Sequence, residues 1–94
     1  MVEIEWDGVE LPTAQRRSLL DRLRTLACVV DPDGRARMTV EILGEPAGFR
    51  VIVEGQDELQ RMGAEVRDGD LMAAFQRALD IAVSRWEAAR QRAA

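Results

Sequence analysis

The acidic pairs Asp31/Asp33 and Asp57-Glu58 and the lone thiol of Cys28 are the residues here whose types come nearest to catalysis. Two neighbouring carboxylates do acid–base work when a pocket sets their proton affinities apart. Both pairs lie instead in turn-forming contexts, Asp31-Pro-Asp-Gly34 and Gly55-Gln-Asp-Glu58, where a short acidic side chain bonds the backbone first. Asp31-Pro-Asp-Gly-Arg opens like a calcium loop but lacks the downstream ligands of one. Cys28 has no second cysteine to pair with and no histidine to activate it, so neither a nucleophilic nor a redox role is expected. The same two absences argue against an ordinary zinc site. No glycine-rich loop is spaced to cradle a phosphate. The expected chemistry is therefore binding rather than catalysis, with no metal and no cofactor.

The cationic side chains are all arginine, 13 of them against 17 acids, for a net charge of −4. Their distribution is uneven. Residues 12–30 carry four arginines and one aspartate, and residues 69–94 carry four arginines and three acids. Residues 1–11 hold four acids and no base, and residues 31–68 hold nine acids and five arginines. An acidic total disfavours nonspecific binding to nucleic acid, but it leaves room for an arginine face on one or two elements.

Those arginines have to be positioned by a small scaffold. At 94 residues the chain is expected to be a single domain, 1–94, with one core. A hydrophobic fraction of 47% and a charged fraction of 32% are those of a globular protein. No apolar run is long enough to span a membrane, and Glu3, Glu5 and Asp7 interrupt any signal peptide at once. A single cysteine fits a reducing cytoplasm.

The periodicities give six elements. Val2, Ile4 and Trp6 alternate with Glu3, Glu5 and Asp7 as a half-buried strand does. Pro12 is a good first helical residue, because its missing amide would be an orphan anyway. Leu19, Leu20, Leu23, Leu26, Ala27 and Val30 then form a helical stripe, with Cys28 on the outer face. Ala36–Ile42 and Phe49–Glu54 alternate as a second and a third strand, separated by a loop at Gly44–Gly48. A fourth strand is expected over Leu59–Arg67. Asp70 caps a last helix that runs to about Arg92 and frays over Ala93-Ala94. Its stripe is Leu71, Phe75, Ala78, Leu79, Ala82 and Trp86, flanked by Met72 and Val83. Trp86 and Phe75 are expected in the core, and Trp6 in the core or at its edge. The fold class is α+β, in the order β-α-β-β-β-α: a four-stranded mixed sheet with two helices packed on one face. The other face carries mixed charges, including Glu3, Glu5, Glu41, Arg50, Glu65 and Arg67, in cross-strand pairs.

Two stretches carry a resemblance. Val9-Glu-Leu-Pro-Thr-Ala-Gln-Arg16 is similar to the "V-E-I-T-E-A-L-R" opening of the first helix in the ribosome hibernation-promoting factor family, also called ribosome-associated inhibitor A or sigma-54 modulation proteins. Asp68-Gly69-Asp70-Leu-Met-Ala-Ala-Phe75 with Leu79-Asp80 is similar to that family's "D-M-Y-A-A-I-D-x-L-x-D" opening of the last helix. The order of elements agrees along the whole chain. The resemblance implies a small bacterial, cytoplasmic factor that docks on the small ribosomal subunit and silences translation in starved or stationary cells. It implies RNA binding by basic residues of both helices, which match Arg16, Arg22 and Arg24 on the first and Arg85, Arg90 and Arg92 on the last. Arg85 and Arg92 share one flank of their stripe and Arg22 flanks the other, so one continuous phosphate-holding edge is expected. On this resemblance the short form is expected, without the dimerisation domain of longer members.

One rival remains. The same fold can serve as a protein-interaction module, its acidic sheet meeting a basic partner or a free strand edge pairing with another chain, including a second copy.

Overall fold

The computed structural model describes residues 1–93; the last helix continues through Ala93, where fraying was expected, and Ala94 lies outside the described residues. The elements are β1 (Val2–Asp7), α1 (Thr13–Val30), β2 (Arg37–Glu45), β3 (Gly48–Gln56), β4 (Arg61–Asp68) and α2 (Leu71–Ala93). The sheet runs β1-β2-β3-β4 in spatial order. β1 and β2 are parallel, joined through α1, and the two remaining pairs are antiparallel hairpins. The expected α+β architecture is the one observed.

One face of the sheet presents Val40, Ile42, Val51, Val53, Ala64 and Val66, all buried. Leu19 and Leu23 of α1 close over this face, as do Leu71, Ala74, Phe75, Ala78, Leu79 and Ala82 of α2. α1 packs on β1, and α2 packs on β3 and β4. Trp86 joins a second cluster with Val30, Ala36 and Met38 at the end of the sheet where α1 stops. Met72, expected on the flank of the α2 stripe, is instead exposed. No helix among the described residues is long and apolar enough to cross a membrane.

Local chemistry sets the boundaries. Asp70 caps α2 as expected, its Oδ1 accepting from the Met72 amide at 3.1 Å. Pro12 stands one residue earlier than expected, at the N-cap with φ −56° and ψ 147°, and its carbonyl accepts from Gln15 and Arg16. The Gly44–Gly48 stretch is not a loop. β2 continues to Glu45, which pairs with Gly48, so only Pro46 and Ala47 turn. Gly48 makes this possible with φ +151°, at a point where any Cβ would run into the Asp68 carbonyl oxygen. β4 begins at Arg61 rather than Leu59. The Asp57 carboxylate takes the Leu59 and Gln60 amides, and that turn holds Leu59 83% exposed.

The outer face carries the expected charge pairs. Arg50 reaches Glu65 at 3.3 Å and Glu45 at 3.8 Å, and Arg67 reaches Glu45 at 3.3 Å. Partly exposed pairs of this kind contribute about 0–1 kcal/mol each. Toward β1 the face is acidic, because the register sets Glu5 directly opposite Glu41.

Urea unfolding should rank three substitutions. Phe75→Ala empties a fully buried site and should cost about 3–5 kcal/mol. Asp70→Ala should cost about 1 kcal/mol through the lost cap. Gly48→Ala should exceed the cap variant, because its Cβ has no room against the Asp68 backbone.

Candidate nucleic-acid interface

α1 is the basic element of the fold, with Arg16, Arg17, Arg22 and Arg24 against Asp21. Residues three and four apart on a helix share a face. Arg16, Leu20 and Arg24 therefore form one ridge, and Ser18, Arg22, Leu26 and Val29 form another. The structure sends these ridges to different sides.

The first ridge meets β1. Trp6 is half-buried at the edge of the core, and the Arg16 guanidinium lies over its ring, 5.3 Å from the centroid. The Arg16 side chain also donates to the carbonyls of Leu11 at 3.2 Å and Val9 at 3.5 Å. Arg16 thus fastens the loop before α1 to the helix and covers the indole. Around it lies a cleft of about 370 Å³, lined by Ile4, Trp6, Arg16, Arg17, Leu20 and Arg24 among others. The second ridge lines a shallow groove of about 670 Å³ between the helices, where Arg17, Arg22 and Val29 of α1 face Gln76 and Leu79 of α2. Val29 is 74% exposed there. Arg17 borders both depressions.

The α2 arginines are placed otherwise. Arg85 donates to the Gly63 carbonyl on β4, the edge strand farthest from α1 in the sheet order. Arg92, seven residues on, shares that side of the helix and is exposed. Arg90 donates to the Val30 carbonyl at 3.1 Å, satisfying one of the orphan acceptors at the end of α1. The continuous edge expected from Arg22, Arg85 and Arg92 is therefore not formed. Because α2 sits over β3 and β4, the flank carrying Arg85 turns away from α1, while Arg22 turns toward the groove. Of the six expected positions, Arg16 and Arg24 come together beside Trp6, Arg22 faces the groove, and Arg85, Arg90 and Arg92 lie apart from them.

Two further residues belong to the basic surface. Arg17 joins the cleft to the groove, and its sequence signal was its place beside Arg16 in a helix with a single acid. Trp6 gives the cleft an aromatic wall. An arginine cluster beside an aromatic ring is suited to phosphates and to stacked bases. The outer face of the sheet, acidic toward β1 and charge-paired toward β4, is suited to neither.

No protein-family model matches the sequence, and no curated protein does. Solved structures do match. The N-terminal domain of Thermus thermophilus Protein Y aligns with a TM-score of 0.70 at 21% identity, over 89% of this chain and 91% of that one. A ribosomal subunit interface protein from Coxiella burnetii aligns with a TM-score of 0.75 at 11% identity, over 95% of this chain and 98% of that one. At these identities the likeness is one of fold, and the fold implied by the sequence resemblance is the fold of both.

The arginines should separate by stability. Arg16→Ala removes the stacking and the carbonyl contacts and should cost about 1 kcal/mol. Arg22→Ala and Arg24→Ala, which hold no hydrogen-bond or ion-pair partner among the described residues, should stay within about 0.5 kcal/mol of wild type in thermal unfolding.

Proposed function

We propose that this chain is a ribosome-associated, RNA-binding domain of the hibernation-factor type, which docks on the small ribosomal subunit through α1 and silences translation. The observation that carries this reading is the basic surface of α1, where Arg17, Arg22 and Arg24 are exposed and Arg16 lies over Trp6. Two further supports are the motif resemblance at both helix openings and the shared fold with a protein described as a ribosomal subunit interface protein.

The charge layout argues for the orientation. RNA phosphates are drawn to arginine forks and repelled by carboxylates. The sheet face toward β1 exposes Glu3 and Glu5, with Glu41 beside Glu5, and none of the three has an ion-pair partner among the described residues. RNA would therefore approach from the helix side. On this reading Arg17, Arg22 and Arg24 contact phosphates, Arg16 shapes the surface, and Arg92 adds a distant contact. Arg85 and Arg90 already hold backbone carbonyls and contribute less. The domain works in the cytoplasm, without a metal or a cofactor, and binds rather than catalyses.

A second reading draws on the same acidic face. An apolar Ile52 lies between Glu41 and Glu65 on that face; Glu65 is paired with Arg50, while Glu3, Glu5 and Glu41 toward β1 hold no ion-pair partner among the described residues. Such a face suits a basic protein partner, and it can engage one while the helices remain free.

Cosedimentation with ribosomes tests the proposal. Three phosphate contacts predict an affinity that falls roughly 20- to 40-fold between about 50 and 200 mM salt. Replacing Arg17, Arg22 and Arg24 together by Glu should abolish pelleting while the thermal midpoint stays near wild type. Pelleting that ignores both salt and the triple reversal would refute docking through α1.

A further inference from the structure

β4 is an edge strand of 8 residues, and its register to β3 is unbroken. The opposite edge of the sheet shows which of its backbone groups point outward. The Met38 amide bonds the Met1 carbonyl, so Met38, Val40 and Ile42 turn their backbone groups toward β1, and Thr39, Glu41 and Leu43 turn theirs toward β3. Carried across the two hairpins, this alternation points Met62, Ala64 and Val66 back at β3 and Arg61, Gly63, Glu65 and Arg67 away from the sheet. Arg85 agrees, because its guanidinium donates to the Gly63 carbonyl from beyond the edge. The other outward amides and carbonyls hold no hydrogen-bond partner among the described residues. Neither a proline nor a bulge interrupts the row.

The side chains along this edge are mostly cationic. On the outer face Arg61 has no partner among the described residues, Arg67 shares Glu45 with Arg50, and Glu65 is itself paired with Arg50. On the helix side Arg77, Ile81 and Arg85 form a ridge of α2 at four-residue spacing. The bond from Arg85 to Gly63 places that ridge beside β4. Ile81 is half-buried, and Arg77 and Arg85 stand exposed on either side of it. The edge therefore combines free backbone groups at strand spacing with arginines on both faces of the sheet.

We propose that the β4 edge docks an extended acidic segment of a partner protein, which adds to the sheet as a further strand. The backbone selects a peptide. An incoming strand supplies amides and carbonyls in alternation and matches both kinds of free group. RNA phosphates offer acceptors alone and leave the carbonyls of Arg61, Glu65 and Arg67 unmatched. The charge selects an acidic segment, whose carboxylates meet Arg61 on the outer face or Arg77 and Arg85 on the helix side. Arg85 holds the place of an incoming amide at Gly63. It gives up that carbonyl when the strand arrives and takes a carboxylate instead. A second copy of this chain is disfavoured. β4 antiparallel to itself sets two ridges of Arg77 and Arg85 face to face. β4 against a neighbour's β1 sets that ridge toward Arg16 and Arg24, which flank β1 on the same side of the sheet. The arginines that oppose self-pairing thus specify the partner. The inference goes beyond the ribosome-docking proposal and stands without it, because α1 packs on β1 at the other edge of the sheet.

The probe is an end-blocked peptide as long as β4 that alternates glutamate with threonine, titrated into the ¹⁵N-labelled full chain. The expected result is a saturable shift of the Arg61, Gly63, Glu65 and Arg67 amides, larger than any at Met62, Ala64 and Val66, whose amides already face β3. Lysine in place of glutamate in the peptide should abolish binding. Arg61→Glu combined with Arg77→Glu should weaken it about tenfold while the thermal midpoint stays near wild type. Glu65→Pro removes an outward amide without touching the β3 ladder, and it also removes an acid. Charge alone therefore predicts tighter binding in that variant, and strand pairing predicts its loss. Oligouridylate is titrated in parallel. No shift with the acidic peptide, an equal response to the lysine peptide, or unchanged binding in the charge-reversed variant overturns the proposal. Movement of the same amides by oligouridylate alone also overturns it and assigns the edge to RNA. Because no ribosome is present, this outcome is independent of whether the chain pellets with ribosomes.

Discussion

The packing of the α2 stripe onto β3 and β4 is the interaction on which the rest of the molecule depends. Leu71, Ala74, Phe75, Ala78, Leu79 and Ala82 are all buried against one sheet face, and Trp86 continues the line into the second cluster. Small residues alternate with large ones along this helix. Ala74, Ala78 and Ala82 let the backbone approach the sheet, while Phe75 and Trp86 fill the space between. Burying a large apolar side chain contributes about 1.5–3 kcal/mol, so this helix holds much of the driving force for folding. α1 adds only Leu19, Leu23 and Val30 as fully buried residues. It is held further by Arg16 at its start and Arg90 at its end.

That division of labour leaves α1 free for function. A helix that buries a narrow stripe exposes most of its circumference, and here the exposed part is arginine-rich. The sheet's second face, uncovered by any helix, takes the remaining charge and is acidic toward β1. The domain therefore has two electrically different sides, and a net charge of −4 conceals the difference. Long-range attraction of any polyanion to such a chain is weak.

The element order, the mixed sheet, both apolar stripes and the Asp70 cap were legible in the sequence, because each rests on a local period or a local hydrogen bond. The Glu45–Gly48 turn was not. Gly44, Pro46 and Gly48 read as a loop, yet the strands extend through it because Gly48 tolerates a backbone that other residues avoid. Leu59 resembled the start of a strand and is instead exposed in an Asp57-capped turn. The site was legible only as a set of arginines. An arginine reaches a carbonyl that tertiary structure alone brings near, so nothing local showed that Arg16 would fasten Leu11, Arg85 Gly63, or Arg90 Val30. Sheet order decided which flank of each helix met the other, and it separated Arg22 from Arg85.

The central claim is that RNA meets the helix side of the domain and not the sheet. Site-specific photo-crosslinking within ribosomes tests it most directly. A photoreactive residue at Ser18, on the groove side of α1, would be compared with one at Glu41, on the acidic sheet face. The account predicts a ribosomal RNA adduct from position 18 and none from position 41. An adduct from position 41 with none from position 18 would contradict it and turn the domain over.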